Sequence, residues 1–157
     1  FLVDENVNLA YHGFRAQDAT FNVSLERDYD DSAGVLNVVH QDLGRVLLNI
    51  LNNACYAVRE KATSNNGGYD PTVEIKTRGL RDRVEIIIRD NGPGIPNKVR
   101  DKIFNPFFTT KPTGEGNTGL GLSISYDIIV QQHMGKLEID TKPGEYTEFL
   151  ISLPKED

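Results

Sequence analysis

Residues Asp90–Gly121 read DNGPGIPNKVRDKIFNPFFTTKPTGEGNTGLG, and the rest of the chain is organised around them. Two glycine clusters flank an aromatic-rich loop. Gly92 and Gly94 bracket Pro93 just after the apolar run Val84–Ile88, and Gly114, Gly116, Gly119 and Gly121 lead into the apolar-periodic run Leu120–Val130. Glycine admits positive φ and lets a backbone come close to a ligand. A glycine-rich turn that opens a helix gathers free N–H groups at the positive end of the helix dipole, so Gly119–Leu122 is a candidate phosphate site.

Outward from this stretch the pattern is mixed. Leu43, Val46, Leu47, Ile50, Leu51, Ala54 and Val58 recur at helical spacing, which predicts a long helix over Gln41–Lys61. Val3–Ala16 has a looser helical period, Lys98–Phe104 has room for one or two turns, and Leu120–Met134 is a second amphipathic helix ended by Gly135. Alternation predicts strands at Phe21–Leu25 and Val35–Val39, paired as a hairpin, then at Thr72–Arg78, Arg83–Arg89, Lys136–Asp140 and Tyr146–Leu153. Asn105–Thr118 is a long loop, and a structureless loop of this length inside a compact domain is usually functional or disordered. Strands joined mostly by hairpins, with helices but without regular βαβ alternation, give an α+β class: one mixed sheet with helices on one face.

Bulk properties narrow the function. The 157 residues suit one domain. A net charge of −6 argues against nucleic acid as the main partner. The single cysteine, Cys55, excludes an intrachain disulfide and a cysteine zinc cluster. No apolar run approaches the roughly 20 residues that span a bilayer. The start, FLVDEN, resembles no secretion signal and has no initiator methionine, so a fragment of a longer protein is expected.

On the long helix Asn49 and Asn53 are four apart and share a face beside the apolar stripe, with Asp42 and Tyr56 on the same strip. Asparagine is a poor helix-interior residue, and this span holds three, Asn49, Asn52 and Asn53. They form either a solvated face or a pocket wall whose neutral oxygens suit Mg²⁺. Asp90 is either part of an Asp-Asn-Gly turn or a buried carboxylate at a strand end. Phe104, Phe107 and Phe108 either plug the loop onto the core or hinge a lid. Lys111 is either a phosphate cation or a surface lysine. Gly114-x-Gly116-x-x-Gly119 matches a dinucleotide fingerprint but follows a loop instead of a strand, and no P-loop sequence occurs. His12, His40 and His133 have no metal spacing.

In order, these pieces resemble the ATP-binding catalytic domain of a two-component sensor histidine kinase, in the GHKL group shared with DNA gyrase, heat-shock chaperone ATPases and mismatch-repair ATPases. Asn49-Ile-Leu-Asn-Asn53-Ala54 resembles the N box and Asp90-Asn-Gly-Pro-Gly94-Ile95 the first glycine box. Phe104-Asn-Pro-Phe-Phe108-Thr-Thr-Lys111 resembles the F box, Gly119-Leu-Gly121-Leu-Ser the second glycine box, and Gly144-Glu-Tyr-Thr147-Glu-Phe149 the last hairpin. The resemblance implies a two-layer sandwich of three main helices on a mostly antiparallel sheet, with residues 105–118 as an ATP lid. It implies ATP and Mg²⁺ as cofactors, with Asn53 on the metal and Asp90 accepting from the adenine amino group, assisted by Thr147. Gly92, Gly94 and Ile95 would pass close to the base. Tyr56 stands where many relatives have a basic residue; it would line the pocket or reach a phosphate through its hydroxyl. Phe107, Thr109, Thr110, Lys111 and Thr118 of the lid, with Gly119, Leu120, Gly121 and Leu122, would complete the nucleotide contacts.

Asn49, Asn53 and Lys111 are the implied catalytic group. Hydrolytic relatives carry a glutamate at the position of Asn49, and an amide cannot act as a base near neutral pH. Transfer is therefore expected instead of hydrolysis. The resemblance implies a histidine acceptor on a separate dimerisation domain, a response-regulator receiver downstream, no nucleic acid and no membrane contact by this domain. It also implies a cytoplasmic location, whether or not the parent is membrane-anchored. The rival readings are a GHKL ATPase, an anti-sigma-type serine kinase, and a degenerate nucleotide-sensing or docking module.

Overall fold

The computed structural model describes residues 2–17, 23–30, 40–64, 69–104 and 121–155. The elements are α1 (Leu2–Gln17), β1 (Ser24–Asp28), α2 (His40–Ser64), β2 (Thr72–Gly79), β3 (Arg83–Asp90), α3 (Asn97–Arg100), α4 (Gly121–Tyr126), β4 (Lys136–Lys142) and β5 (Tyr146–Pro154). The five strands form one sheet in the order β1-β2-β3-β5-β4. All neighbouring pairs are antiparallel except β1 with β2. This is the expected α+β arrangement.

Period-two alternation turns Val73 and Ile75 of β2, Ile86 and Ile88 of β3, and Phe149, Ile151 and Leu153 of β5 into the core. Against them lie Val46, Leu47, Ile50, Leu51, Ala54 and Val58 of α2, and α1 packs beside that helix and adds Val7, Ala10 and Phe14 to the same core. Each Val, Leu, Ile or Phe among them contributes about 1.5–3 kcal/mol on burial.

Three details differ from expectation. The first strand lies at Ser24–Asp28, a few residues later than the alternation suggested, and pairs in parallel with β2 across the α2 crossover. Its expected hairpin partner, residues 35–39, lies outside the described residues. The helix expected over Leu120–Met134 is α-helical only to Tyr126; Asp127–Gln132 is a wider π-helical continuation. That wide turn closes with the Gly135 N–H on the Ile129 carbonyl at 2.8 Å. Met134, and not Gly135, takes the left-handed conformation at the helix end, with φ 56°. Among the described residues no helix is long and apolar enough to cross a membrane.

Candidate active site

β3 is the central strand, and its last residue carries the site's carboxylate. Asp90 is opposite Val73 on one side and Thr147 on the other. It is only 4% exposed. The Gly92 N–H donates to Asp90 Oδ1 at 2.9 Å. Burial lifts the carboxyl to about 7, while the Gly92 amide and the Lys61 ammonium pull it down. Burial, and then the charge of Asp90, push the nearby thiol of Cys55 and phenol of Tyr69 up to about 12.

The chain after Asp90 is pinned on both sides. A side chain on Gly92 would meet Asp90 Oδ1 at 2.8 Å and the Ala57 methyl of α2 at 2.9 Å, so this backbone presses directly on the helix. Gly94 has φ 71° and lies against the Lys142 carbonyl, where no side chain fits. The Ile95 N–H donates to Thr141 Oγ1 at 2.9 Å, and the Gly144 N–H to the Pro93 carbonyl at 2.6 Å. The first glycine box is therefore hung on the β4–β5 hairpin.

Thr147 completes this wall. Thr141 donates its hydroxyl proton to the Tyr146 carbonyl at 2.8 Å. The 3.2 Å contact between Thr141 Oγ1 and Thr147 Oγ1 must then have Thr147 as donor. The lone pairs of Thr147 remain for a donor lying beside Asp90. A buried carboxylate next to an accepting hydroxyl is suited to a group with N–H to give, such as an exocyclic amine.

α2 supplies the opposite wall. Asn49, Asn53, Ala57 and Lys61 follow one another at four-residue spacing and so lie along one stripe. Asn49 Nδ2 donates to the Gly121 carbonyl and to Ser125 Oγ, each at 3.3 Å, and Ser125 Oγ donates back to the Gly121 carbonyl at 2.8 Å. This ties α2 to the first turn of α4, in the second glycine box. Asn53 and Tyr56 are half-buried on α2, and the Arg59 guanidinium lies over the Tyr56 ring at 5.4 Å. Leu122 packs against the core from α4. Phe104 stacks at 5.3 Å on Tyr126, anchoring the chain where the expected lid departs.

Of the residues expected at the site, Asn49, Asn53, Tyr56, Asp90, Gly92, Gly94, Ile95, Gly121, Leu122 and Thr147 are described. Phe107, Thr109, Thr110, Lys111, Thr118, Gly119 and Leu120 lie outside the described residues. Ser125, Thr141, Lys61 and Asn91 were not singled out from the sequence. The four-residue spacing Asn49-Asn53-Ala57-Lys61 carried a signal for Lys61; the others depend on contacts between distant segments. Asn91 in particular is no hairpin-turn residue. Its Oδ1 accepts from the Thr72 N–H at 2.9 Å and the Tyr69 hydroxyl at 3.0 Å, and its Nδ2 donates to the Asp70 carbonyl at 2.8 Å.

Known proteins share this arrangement. Residues 38–157 match the family described as histidine kinase-, DNA gyrase B-, and HSP90-like ATPase. The sensory histidine kinase/phosphatase NtrB of Klebsiella oxytoca is 39% identical over 135 residues, covering 85% of this chain and 37% of that protein. Sporulation kinase A of Bacillus subtilis is 33% identical over 133 residues, covering 85% of this chain and 20% of that protein. The chain thus spans well under half the length of these relatives. The nucleotide-free catalytic domain of histidine kinase ThkA superposes with a TM-score of 0.76 at 28% identity, covering 99% of this chain and 95% of that one. The chain belongs to the histidine kinase-, DNA gyrase B-, and HSP90-like ATPase family, as an ATP-binding catalytic domain of the sensor histidine kinase type.

Proposed function

We propose that this domain binds Mg·ATP and donates the γ-phosphoryl group to a histidine on a separate dimerisation domain of its parent protein, from which a response-regulator receiver takes it. The acceptor imidazole nitrogen would attack phosphorus in line; the new N–P bond forms as the bond to the bridging oxygen breaks and ADP leaves. In such a reaction the protein contributes mainly positioning and charge neutralisation. A location in the cytoplasm, where ATP is supplied, belongs to the same reading.

The observation that carries transfer over hydrolysis is the state of Asn49. Its amide N–H₂ is committed to Gly121 and Ser125, and an amide has no proton-accepting nitrogen to activate water. Asn49 thus positions the second glycine box, while Asp90 and Thr147 hold the base. Gly92 and Gly94 let the backbone approach its face. Gly119–Leu122 would offer N–H groups to the phosphates, and Lys111 would add charge.

Asn53 would hold Mg²⁺, which when bound offsets phosphate charge. The donor set fits: a neutral amide oxygen suits a hard cation that keeps waters and phosphate oxygens as its other ligands.

The test is to mix the domain with γ-labelled ATP, with and without the parent's dimerisation domain. Label on that domain's histidine, with little phosphate release by the domain alone, is the expected result. Steady phosphate release by the domain alone would favour a hydrolytic ATPase, and binding without transfer a nucleotide-sensing module.

A further inference from the structure

The stripe on α2 does not end at the phosphate side. Asn49 bonds the second glycine box, and Ala57 abuts Gly92 of the first. One further turn along, Lys61 Nζ donates to the Gly144 carbonyl at 3.0 Å and to the Asn91 carbonyl at 3.3 Å. The same ammonium lies 5.0 Å from the centre of the Tyr69 ring, whose single hydroxyl proton is shared between this Asn91 carbonyl and Asn91 Oδ1, each at 3.0 Å. Twelve residues of helix separate Asn49 from Lys61, a rise of roughly 18 Å. One rigid element thus fastens both ends of the cleft.

We infer that Lys61 is a positioning residue for the nucleotide base: its ammonium ties the backbone after Asp90 to the β4–β5 turn and so holds the first glycine box in place beside Asp90. Three segments converge on this group, in addition to the direct bonds between them. The Asn91 carbonyl belongs to the loop leaving β3, the Gly144 carbonyl to the turn joining β4 and β5, and Tyr69 to the approach to β2. Carbonyl oxygens of separate segments repel one another, and a shared cation removes that repulsion while fixing their spacing. Lys61 does not touch the base. It acts through the loop that holds Gly92 against Asp90, and its charge also faces Asp90, together with Cys55 and Tyr69.

The inference rests on the nucleotide reading above, and its test separates the two. ATP affinity with Mg²⁺ is measured against pH for the wild type, Lys61→Met and Lys61→Arg, alongside thermal unfolding. Lys61→Met is expected to weaken ATP about tenfold at pH 7 and to move the pH midpoint of binding upward. Lys61→Arg, which keeps a cation that donates to both carbonyls, is expected to restore most of both. Unchanged affinity and midpoint in Lys61→Met would overturn the inference. So would an affinity loss matched by a lower unfolding temperature, with an unmoved midpoint and no rescue by arginine. A wild type that fails to bind ATP would instead overturn the nucleotide reading, and the role of Lys61 with it.

Discussion

The Gly92 amide turns back to donate to Asp90 Oδ1, two residues earlier in the chain, at 2.9 Å. Among the described residues this is the only hydrogen bond to that carboxylate, so one oxygen is fixed and the other is left for a ligand. A group that holds the strand end in place and also presents an acceptor must be both buried and ionisable. Those two demands conflict, and the raised Asp90 value is the result.

Gly92→Ala should damage the site by sterics alone, because a methyl there meets both Asp90 Oδ1 and Ala57 at under 3 Å. Ala57 has no flexible end, and the buried Asp90 carboxylate can turn away only by giving up its bond from the Gly92 amide. Overpacking of this kind costs about 1–3 kcal/mol. The expected result is a lower unfolding temperature and at least a tenfold loss of ATP affinity, read by calorimetry of unfolding and of binding.

The Asp90 carboxyl gives ATP binding and stability opposite pH trends. Its folded value, about 7, lies above its ordinary one, so the fold favours the neutral form. The stabilisation linked to that proton is complete below about pH 4 and is lost as pH rises through 7. A base amino group needs the ionised form as its acceptor, so ATP affinity should rise across the same interval, by about tenfold from pH 6 to pH 8. Asp90→Asn should flatten both profiles. Affinity that is level with pH in the wild type would contradict the assigned role.

Asn49→Asp replaces a donor by an acceptor at nearly constant shape. The carboxylate would face the Gly121 carbonyl and Ser125 Oγ, both now at 3.3 Å from a donating nitrogen. Losing these partners should cost about 1–3 kcal/mol. The acidic variant should therefore unfold earlier and bind ATP more weakly, and it should not become an efficient ATPase. Thermal unfolding and a phosphate-release assay check this together.

Met134→Gly should stabilise the fold. Met134 has φ 56° and is 78% exposed, so its side chain loses little packing on removal. A left-handed residue with a Cβ costs about 1–2 kcal/mol, partly offset by the larger unfolded-state entropy of glycine. A rise of about 1–3 °C in the unfolding midpoint is expected, with ATP affinity unchanged.

What could be read from the sequence was whatever repeats locally. The α2 stripe and the β2 to β5 alternations declare themselves over a few residues, whereas Asp90 fits a turn as well as a buried strand end until its neighbours are seen. β1 was blurred because four of its five residues are exposed, so an edge strand held by its ladder shows little alternation. The π-helical stretch was invisible because Ile128 and Ile129 stay buried in either helix type. Lys61 ends the predicted helix, Thr141 lies one residue past the predicted strand Lys136–Asp140, and Asn91 fits an Asp-Asn-Gly turn. Their roles come from segments far apart in sequence, which no local pattern encodes.

The stripe Asn49-Asn53-Ala57-Lys61 also limits how this chain can vary in length. An insertion of one residue between Asn49 and Lys61 would rotate everything beyond it by about 100°. Lys61 would then leave Asn91 and Gly144, while Asn49 kept its grip on Gly121. Insertions and deletions compatible with the nucleotide-binding role must therefore fall in the connections between elements. The spacing of these four residues works as a fixed gauge for the cleft.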